Sequence, residues 1–333
     1  IMLVYIARRV LLMIPTLFLI SVLVFTIIEL PPGDYFESHV AELLAQGEKA
    51  DSQQIAYLRE EYGFDKHPVE RYFIWVTGLL QGDLGYSFEH EMSVNKVVGD
   101  RLFFTILVSF VTIFFTWIVA FPIGIYSAMH QYSWTDYGLS FLGLIGIATP
   151  NFLLALIMMY LANVWFGTSI GGLMAPEFVN QPLSWAKFIS VLEHLWIPVI
   201  VIGTAGTAGM VRTLRANLLD ELRKQYVTTA RAKGLSPMRA LIKYPLRMAL
   251  NFFIAGIGSI LPQIISGAEV VAVVLSLETT GPLLINALQS QDMYLAGSFL
   301  MFLALLTVIG VLISDILLAI LDPRIRLSGG RTR

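Results

Sequence analysis

Six long runs of uncharged, mostly apolar residues stand out along this sequence. They are Val10–Ile28, Leu102–Ala128, Tyr137–Phe166, Leu195–Val211, Met248–Ala268 and Met293–Ser314. A helix needs about 20 apolar residues to cross a bilayer core of roughly 30 Å. The runs lack the alternation of barrel strands, so helices are the form that pairs every backbone group within lipid. The pattern therefore predicts an all-α, multi-pass transmembrane helical bundle with six spans.

Three of the runs have features of their own. The third is too long for one straight crossing and contains Pro150, which predicts a kinked or tilted helix that leaves the membrane near Val164. The first follows two arginines, as the apolar part of a signal peptide would, but no small-residue cleavage site comes after it. We expect it to be a retained helix. Gly203, Gly206 and Gly209 in the fourth run indicate close helix packing rather than a substrate path.

The composition agrees with this class and excludes several others. Of the 333 residues, 56% are hydrophobic and 14% are charged. The mean hydropathy of +0.72 excludes a soluble enzyme. The absence of cysteine excludes disulfide scaffolds, thiol catalysis and Cys-based metal sites. The formal net charge of -2 gives no indication of nucleic-acid binding.

The basic residues predict the orientation of the spans. Fifteen of the 22 Lys and Arg residues fall in the N-terminus, in Arg212–Arg247 and in the C-terminus. Six spans place these three segments on one face, which the positive-inside rule assigns to the cytoplasm. The predicted domains are an N-terminal transmembrane helix (1–30), an external segment with a short amphipathic helix (31–101), a five-helix core with a cytoplasmic loop at 212–248 (102–321) and a cytoplasmic tail (322–333).

The external segment is predicted to contain its short helix from Pro68 onward. Proline suits the first helical position, Glu70 places an acid in the first turn, and Gly82 follows the end. Tyr72 and Trp75 would suit a membrane interface. We expect this helix to cover the bundle rather than to form a binding site of its own.

The cytoplasmic loop has the pattern of two short helices. Arg212–Leu250 contains nine basic and two acidic residues, a charge that orientation and attraction to anionic membrane lipid explain. The order of residues says more. Gln225–Lys233 is a helical pattern with bases in its last turn, and Gly234 suits the left-handed position after it. Ser236 and Pro237 fit the start of a new helix. A short helix held between two turns is predicted to dock into a partner's groove.

Seven residues of this segment are candidates for contact with the partner. Ala230 and Ala232 allow close approach of another backbone, and Tyr226 and Val227 offer apolar contact. The full candidate set is Tyr226, Val227, Ala230, Arg231, Ala232, Lys233 and Gly234.

These residues resemble a known family. Tyr226–Ser236 is similar to the coupling segment, or EAA loop, of permease subunits of ABC importers, and it is closest to the dipeptide/oligopeptide branch. Further similarities occur in family order at Ala7–Arg9, Pro31–Asp34, Gly78–Gly85, Ala148–Phe152 and Leu321–Arg326. The resemblance implies a type I ABC importer permease of the bacterial inner membrane, with both termini cytoplasmic.

The resemblance also implies a set of partners. They are a second homologous permease subunit, two ABC ATPase domains and an external solute-binding protein. ATP and Mg would be bound by the ATPase domains. No Gly-x-x-x-x-Gly-Lys-Ser/Thr motif occurs, so this chain is expected to be a transport subunit without an ATPase site, cofactor or metal of its own.

Departures from the family pattern bear on the cargo. The Glu-Ala-Ala triplet falls on Thr228-Thr229-Ala230, and the Glu-Thr-Val-Phe-Ser-Trp-Pro-Gly pattern after the fifth span becomes Ala272–Thr279. We expect Glu269 and Glu278, near this outer mouth, to tune gating or docking of the binding protein. Short peptides are the expected cargo, with an oligosaccharide, an opine or a metal chelate as alternatives. An intramembrane enzyme or a receptor scaffold are alternatives from other classes, but no nucleophile motif stands in a span.

Overall fold

The structure is a computed structural model that describes residues 2–30, 56–57, 59–60, 63–99, 101–167, 171–179, 181–267 and 269–321. The chain forms two compact units. One is built mainly on Phe103–Glu278, and the other on Arg8–Leu102 with Thr279–Val308. The motif at Pro31–Asp34 and the predicted tail from residue 322 onward lie outside the described residues.

Helices dominate the described chain, which confirms the predicted all-α class. Their bounds are Met2–Glu29 (α1), Pro68–Leu80 (α2), Val94–Val98 (α3), Arg101–Met129 (α4), Trp134–Ala148 (α5), Asn151–Phe166 (α6), Trp185–His194 (α7), Trp196–Leu222 (α8), Gln225–Ala232 (α9), Pro237–Lys243 (α10), Pro245–Gly267 (α11), Glu269–Val274 (α12), Thr280–Gln289 (α13) and Met293–Leu321 (α14). A single 3-10 turn in the described chain covers Pro176–Phe178. Tyr86–Ser87 (β1) and Met92–Ser93 (β2) form an antiparallel hairpin.

Five described helices are long and apolar enough to cross a membrane. They are Val4–Glu29, Arg101–Met129, Trp196–Leu222, Pro237–Ile257 and Met293–Ile320. A sixth span exists if the bent pair Trp134–Ala148 and Asn151–Phe166 is counted as one. The predicted runs therefore fall on helices of a multi-pass bundle, but the fifth candidate span begins at Pro237 in α10, upstream of the predicted run that starts at Met248. The fourth helix continues past its apolar run into the basic segment.

The third run is broken, whereas the sequence predicted one kinked or tilted helix. α5 ends at Ala148 and α6 begins at Asn151, at an angle of 101° to it. Thr149 is extended (φ -83, ψ 119), which is the conformation that a residue before proline prefers. Pro150 has no N–H with which to continue α5. The proline therefore ends one helix and starts another.

The predicted external helix is present as α2, but its aromatic residues are in a core. Tyr72 is 8% exposed and Trp75 is 3% exposed. The Tyr72 hydroxyl lies 2.7 Å from that of Ser21, and its ring packs edge-on against Phe25. A Cβ at Gly297 would lie 3.0 Å from the Trp75 ring. The expected membrane-interface role of both aromatic residues is therefore wrong, because this face of α2 packs on α1 and α14.

A buried carboxylate anchors the hairpin of the same unit. Asp292 is 0% exposed, and its Oδ2 accepts a hydrogen bond from the Ser87 hydroxyl at 2.6 Å. Ser87 also lies 3.1 Å from His90 Nδ1. Burial raises the pKa of Asp292 above its ordinary value, although the Ser87 hydrogen bond acts in the opposite direction.

α8 is the central helix of the other unit. Ile197 and Leu214 are fully buried, and α8 packs against α5, α6 and α11. A Cβ at Gly203 would lie 2.9 Å from Phe115, and one at Gly124 would lie 3.0 Å from Leu214. Because glycine has no side chain, α4 and α8 approach closely at both positions, which confirms the packing role predicted for Gly203.

Candidate functional site

The coupling segment, defined as residues 225–234, is a short helix with a sharply defined end. Gly234 has a φ of +87, and its N–H donates to the Arg231 carbonyl at 2.9 Å. The Leu235 N–H donates to the Ala230 carbonyl at 3.2 Å. This pair of bonds is the Schellman arrangement, which needs a left-handed residue at that position. The predicted left-handed glycine is confirmed, and the next helix, α10, starts where it was predicted.

The seven candidate contact residues divide into two sets by burial. Val227 is 2% exposed and Ala230 is 7% exposed. They lie three residues apart, on one face of α9. The other five are exposed, namely Tyr226, Arg231, Ala232, Lys233 and Gly234. Contrary to expectation, Val227 and Ala230 are buried within the chain and fix the segment in place, so the exposed set is the surface that a partner can reach.

Glu221 fastens the coupling segment to the end of α8. Its Oε1 accepts a hydrogen bond from Lys224 Nζ at 2.5 Å, and its Oε2 accepts one from the Tyr226 hydroxyl. The Tyr226 ring also packs edge-on against Tyr244, with 6.3 Å between ring centroids. Burial, and then the Glu221 hydrogen bond, raise the pKa of Tyr226 above its ordinary value. The segment is therefore linked to α8 by side chains as well as by the backbone.

A cavity of about 720 Å³ lies among α4, α6, α8 and α11. Its polar lining comes from Thr112, Thr116, Thr213 and Asn151, and aromatic rings such as that of Trp117 supply part of its apolar lining. The lining contains no charged residue among those that the structure describes. The cavity therefore offers hydroxyl and amide groups in an otherwise apolar wall.

Two glycines of α8 line this cavity. Gly206 and Gly209 both belong to its lining, and no atom lies within 4 Å of a Cβ built at Gly209. A Cβ at Gly206 would lie 3.8 Å from Thr116 of α4, which is an ordinary packing distance, so the predicted packing role is wrong only for Gly209. A glycine stripe alone does not reveal which of its members face another helix.

Unpaired donors also border the cavity. Within the described chain, Thr112 Oγ1 and Trp117 Nε1 are buried without a hydrogen-bond partner. Most buried polar groups in proteins are paired. Neither residue stands out in the sequence, since threonine and tryptophan in an apolar run are ordinary components of a span.

Glu278 braces the loop that contains Gly172 and Leu173. Its Oε2 accepts a hydrogen bond from the Leu173 N–H at 2.9 Å, and the Gly172 N–H donates to the Leu275 carbonyl at 2.7 Å. Gly172 has a φ of +91, and a Cβ there would lie 3.1 Å from Glu278 Oε1. Glu278 is half-buried and occupied in holding this loop. Glu269 begins α12, and its side chain lies outside what the structure describes.

A membrane bundle with a mainly apolar cavity that carries hydroxyl and amide groups, together with an exposed basic helix-turn, defines a class of protein, namely a multi-pass membrane transport component. Two family models match the chain. "Binding-protein-dependent transport system inner membrane component" matches residues 120–327, and "Binding-prot-dependent transport system membrane comp, N-term" matches residues 2–111. The chain belongs to this family of inner membrane components of binding-protein-dependent transport systems.

Curated relatives resemble the chain over nearly its whole length. The oligopeptide transport system permease protein AppB of Bacillus subtilis is 35% identical over 325 residues, which cover 96% of this chain and 98% of that protein. A putative peptide permease protein of Brucella ovis is 29% identical, with 98% and 100% covered. The peptidoglycan transport system permease protein YejB of Agrobacterium fabrum is 29% identical, with 96% and 97% covered.

Proposed function

We propose that this chain forms half of the translocation path of an ATP-driven importer of short peptides. The observation that carries the proposal is the similarity to an oligopeptide permease over 96% of the chain. A second homologous permease subunit supplies the other half. Two ABC ATPase domains bind ATP and Mg, and an external solute-binding protein delivers the cargo. The chain itself is a transport subunit.

The cavity suits peptide cargo. Polar groups of a peptide cost several kcal/mol each when they enter lipid without hydrogen bonds, so a peptide needs a polar path. The volume of about 720 Å³ lies within the usual range of ligand pockets, which is roughly 300–1,000 Å³. Hydroxyl and amide groups can pair with the backbone of any peptide, and an uncharged lining does not select side-chain charge. The binding protein therefore sets most of the selectivity.

The coupling segment is the proposed contact with an ATPase domain. Arg231, Ala232 and Lys233 are exposed, while Val227 and Ala230 hold the segment on the chain. This face and both termini are assigned to the cytoplasm by the distribution of basic residues.

Glu269 and Glu278 are proposed to act on gating or on docking of the binding protein rather than as a cargo site. The Glu278 bracing of the loop at Leu173 supports this role, because the carboxylate is already occupied within the chain. Exchange of Glu278 for Gln is expected to slow transport without altering the rank order of cargoes. A changed rank order with the same binding protein would instead make the permease a determinant of selectivity.

Transport by the complete complex in proteoliposomes tests the proposal. The candidate cargoes are a labelled tripeptide, an oligosaccharide, an opine and a metal chelate. Each is supplied outside the vesicles together with the binding protein, and ATP is enclosed inside. We expect ATP-dependent uptake of the tripeptide. Uptake of another cargo with no tripeptide uptake would refute the peptide assignment.

A matched pair of variants tests the docking surface. Ala232→Glu places a charged side chain where close approach is needed, and Ala232→Ser retains the small volume at the same position. We expect the first to lose cargo-stimulated ATP hydrolysis by about tenfold or more and the second to retain it. An assembled Ala232→Glu complex with native stimulation would show that docking occurs elsewhere.

A further inference from the structure

An ion pair with a buried carboxylate connects α8 to the beginning of α5. Arg215 Nε lies 2.8 Å from Asp136 Oδ1, and its Nη2 lies 2.6 Å from Oδ2. The Asp136 side chain is 1% exposed and that of Arg215 is 25% exposed. Two parallel bonds from one guanidinium fix the direction of the arginine as well as its distance.

The same carboxylate holds the turn between α4 and α5. Ser127, near the end of α4, donates its hydroxyl to Oδ1 of Asp136, and it also lies 3.1 Å from Arg215 Nε. The Tyr132 N–H donates to Oδ2 at 3.0 Å, and Tyr132 has a φ of +65. A left-handed conformation is unfavourable for a residue other than glycine, so the turn depends on this bond. One carboxylate therefore joins α4, the turn, α5 and α8.

α8 extends from this ion pair to the coupling segment. Arg215 lies seven residues before Leu222, where α8 ends, which is about 10 Å along the helix axis. Glu221 then fastens the coupling segment to the same helix end. Beside Arg215, Leu214 packs onto Gly124 of α4. A displacement of the coupling segment therefore acts on α8, which Arg215 connects through Asp136 to α4 and α5.

We propose that Arg215 is a positioning residue that transmits motion of the coupling segment, through Asp136, to the turn between α4 and α5. This inference rests on the proposed function, since an ATPase must move the coupling segment. α4 carries Thr112 and Thr116 of the cavity, and α6, which supplies Asn151, follows α5. The ion pair thus links the coupling segment to helices that form the cavity wall.

The use of an ion pair at this position fits transmission of motion better than it fits simple bracing of the helices. A buried ion pair is a weak source of stability, because desolvation offsets much of its attraction, and apolar residues commonly brace helices as well. A guanidinium fork instead fixes one relative orientation of two elements. Such a contact is suited to passing on a rigid-body shift, since the paired groups move together or separate at considerable cost.

Variants at Arg215 separate transmission from bracing. Arg215→Gln removes the charge and the fork, Arg215→Lys keeps the charge only, and Arg212→Gln removes an exposed charge from the preceding turn of α8 as a matched control. Each complex is assayed for assembly, basal ATP hydrolysis, cargo-stimulated hydrolysis and cargo transported per ATP. Arg215→Gln is expected to assemble with basal hydrolysis within about twofold of native, and to lose stimulation and transport per ATP by at least about fivefold. Arg215→Lys should show a smaller loss, and Arg212→Gln none.

The outcomes distinguish this inference from the proposed function. An unaltered complex without cargo-stimulated hydrolysis would count against the importer itself. An assembled Arg215→Gln complex with native transport per ATP would overturn the role of Arg215. If Arg215→Gln fails to assemble, Arg215→Lys becomes the deciding variant. Native transport per ATP in an assembled Arg215→Lys complex would also overturn the role of Arg215.

Discussion

The left-handed turn that ends the coupling segment allows the effect of substitutions at Gly234 to be predicted. Its φ of +87 is accessible to glycine without strain, whereas the left-handed region costs an ordinary L-residue roughly 1–2 kcal/mol. No atom lies within 4 Å of a Cβ built at this position, so a small side chain meets no obstacle. Within the chain, Gly234→Ala therefore changes backbone conformation without a steric clash. Gly234→Asn is the matched control, because asparagine tolerates this region better than alanine does.

The expected size of the effect follows from the same geometry. Strain of roughly 1–2 kcal/mol weakens the two bonds that close the turn, from Gly234 to Arg231 and from Leu235 to Ala230. A change of that size raises the open fraction of the segment by about 5- to 30-fold. Gly234→Val should be at least as damaging as alanine, since a branched Cβ is further restricted. Asparagine should lie between alanine and the native glycine.

Amide hydrogen exchange in the assembled complex measures this opening directly. Protection of residues 225–235 should fall by about 5- to 30-fold in Gly234→Ala and by less in Gly234→Asn, while the buried part of α8 keeps its native protection. Cargo-stimulated ATP hydrolysis should decline in the same order. Native protection in Gly234→Ala, or a larger loss in the asparagine variant, would refute the argument from the left-handed turn.

Two further predictions concern topology and pH. In this cysteine-free chain, Cys introduced at Glu60 should react with an impermeant thiol reagent outside intact cells, and Cys at Arg231 or Lys233 should not; external labelling at 231 would contradict the orientation. Because burial raises the pKa of Asp292, its contribution to folding is full below the unfolded-state pKa and is lost as pH rises through the raised value. Asp292→Asn should therefore flatten the decline in melting temperature between acidic and neutral pH, and an unchanged slope would contradict it.

The sequence alone was sufficient for features that depend on neighbouring residues. Apolar runs predict membrane helices because lipid cannot pair a free backbone group. The end of the coupling helix at Gly234 was equally predictable, since the left-handed turn is a property of a few consecutive residues. The start of α2 at Pro68 belongs to the same kind of local signal.

Tertiary structure decided which face of each element is buried and which distant residues meet. Val227 and Ala230 look suited to a partner in the sequence, but packing places them inside the chain. Tyr72 belongs to a core because α1 and α14 lie against its helix. The periodicity of apolar residues in α2 does not show which helices will pack against it. Asp136 and Arg215 stand 79 residues apart, so their contact depends on how α5 crosses α8 rather than on any local pattern. Local signals determine the elements, whereas long-range packing determines which side chains remain available for function.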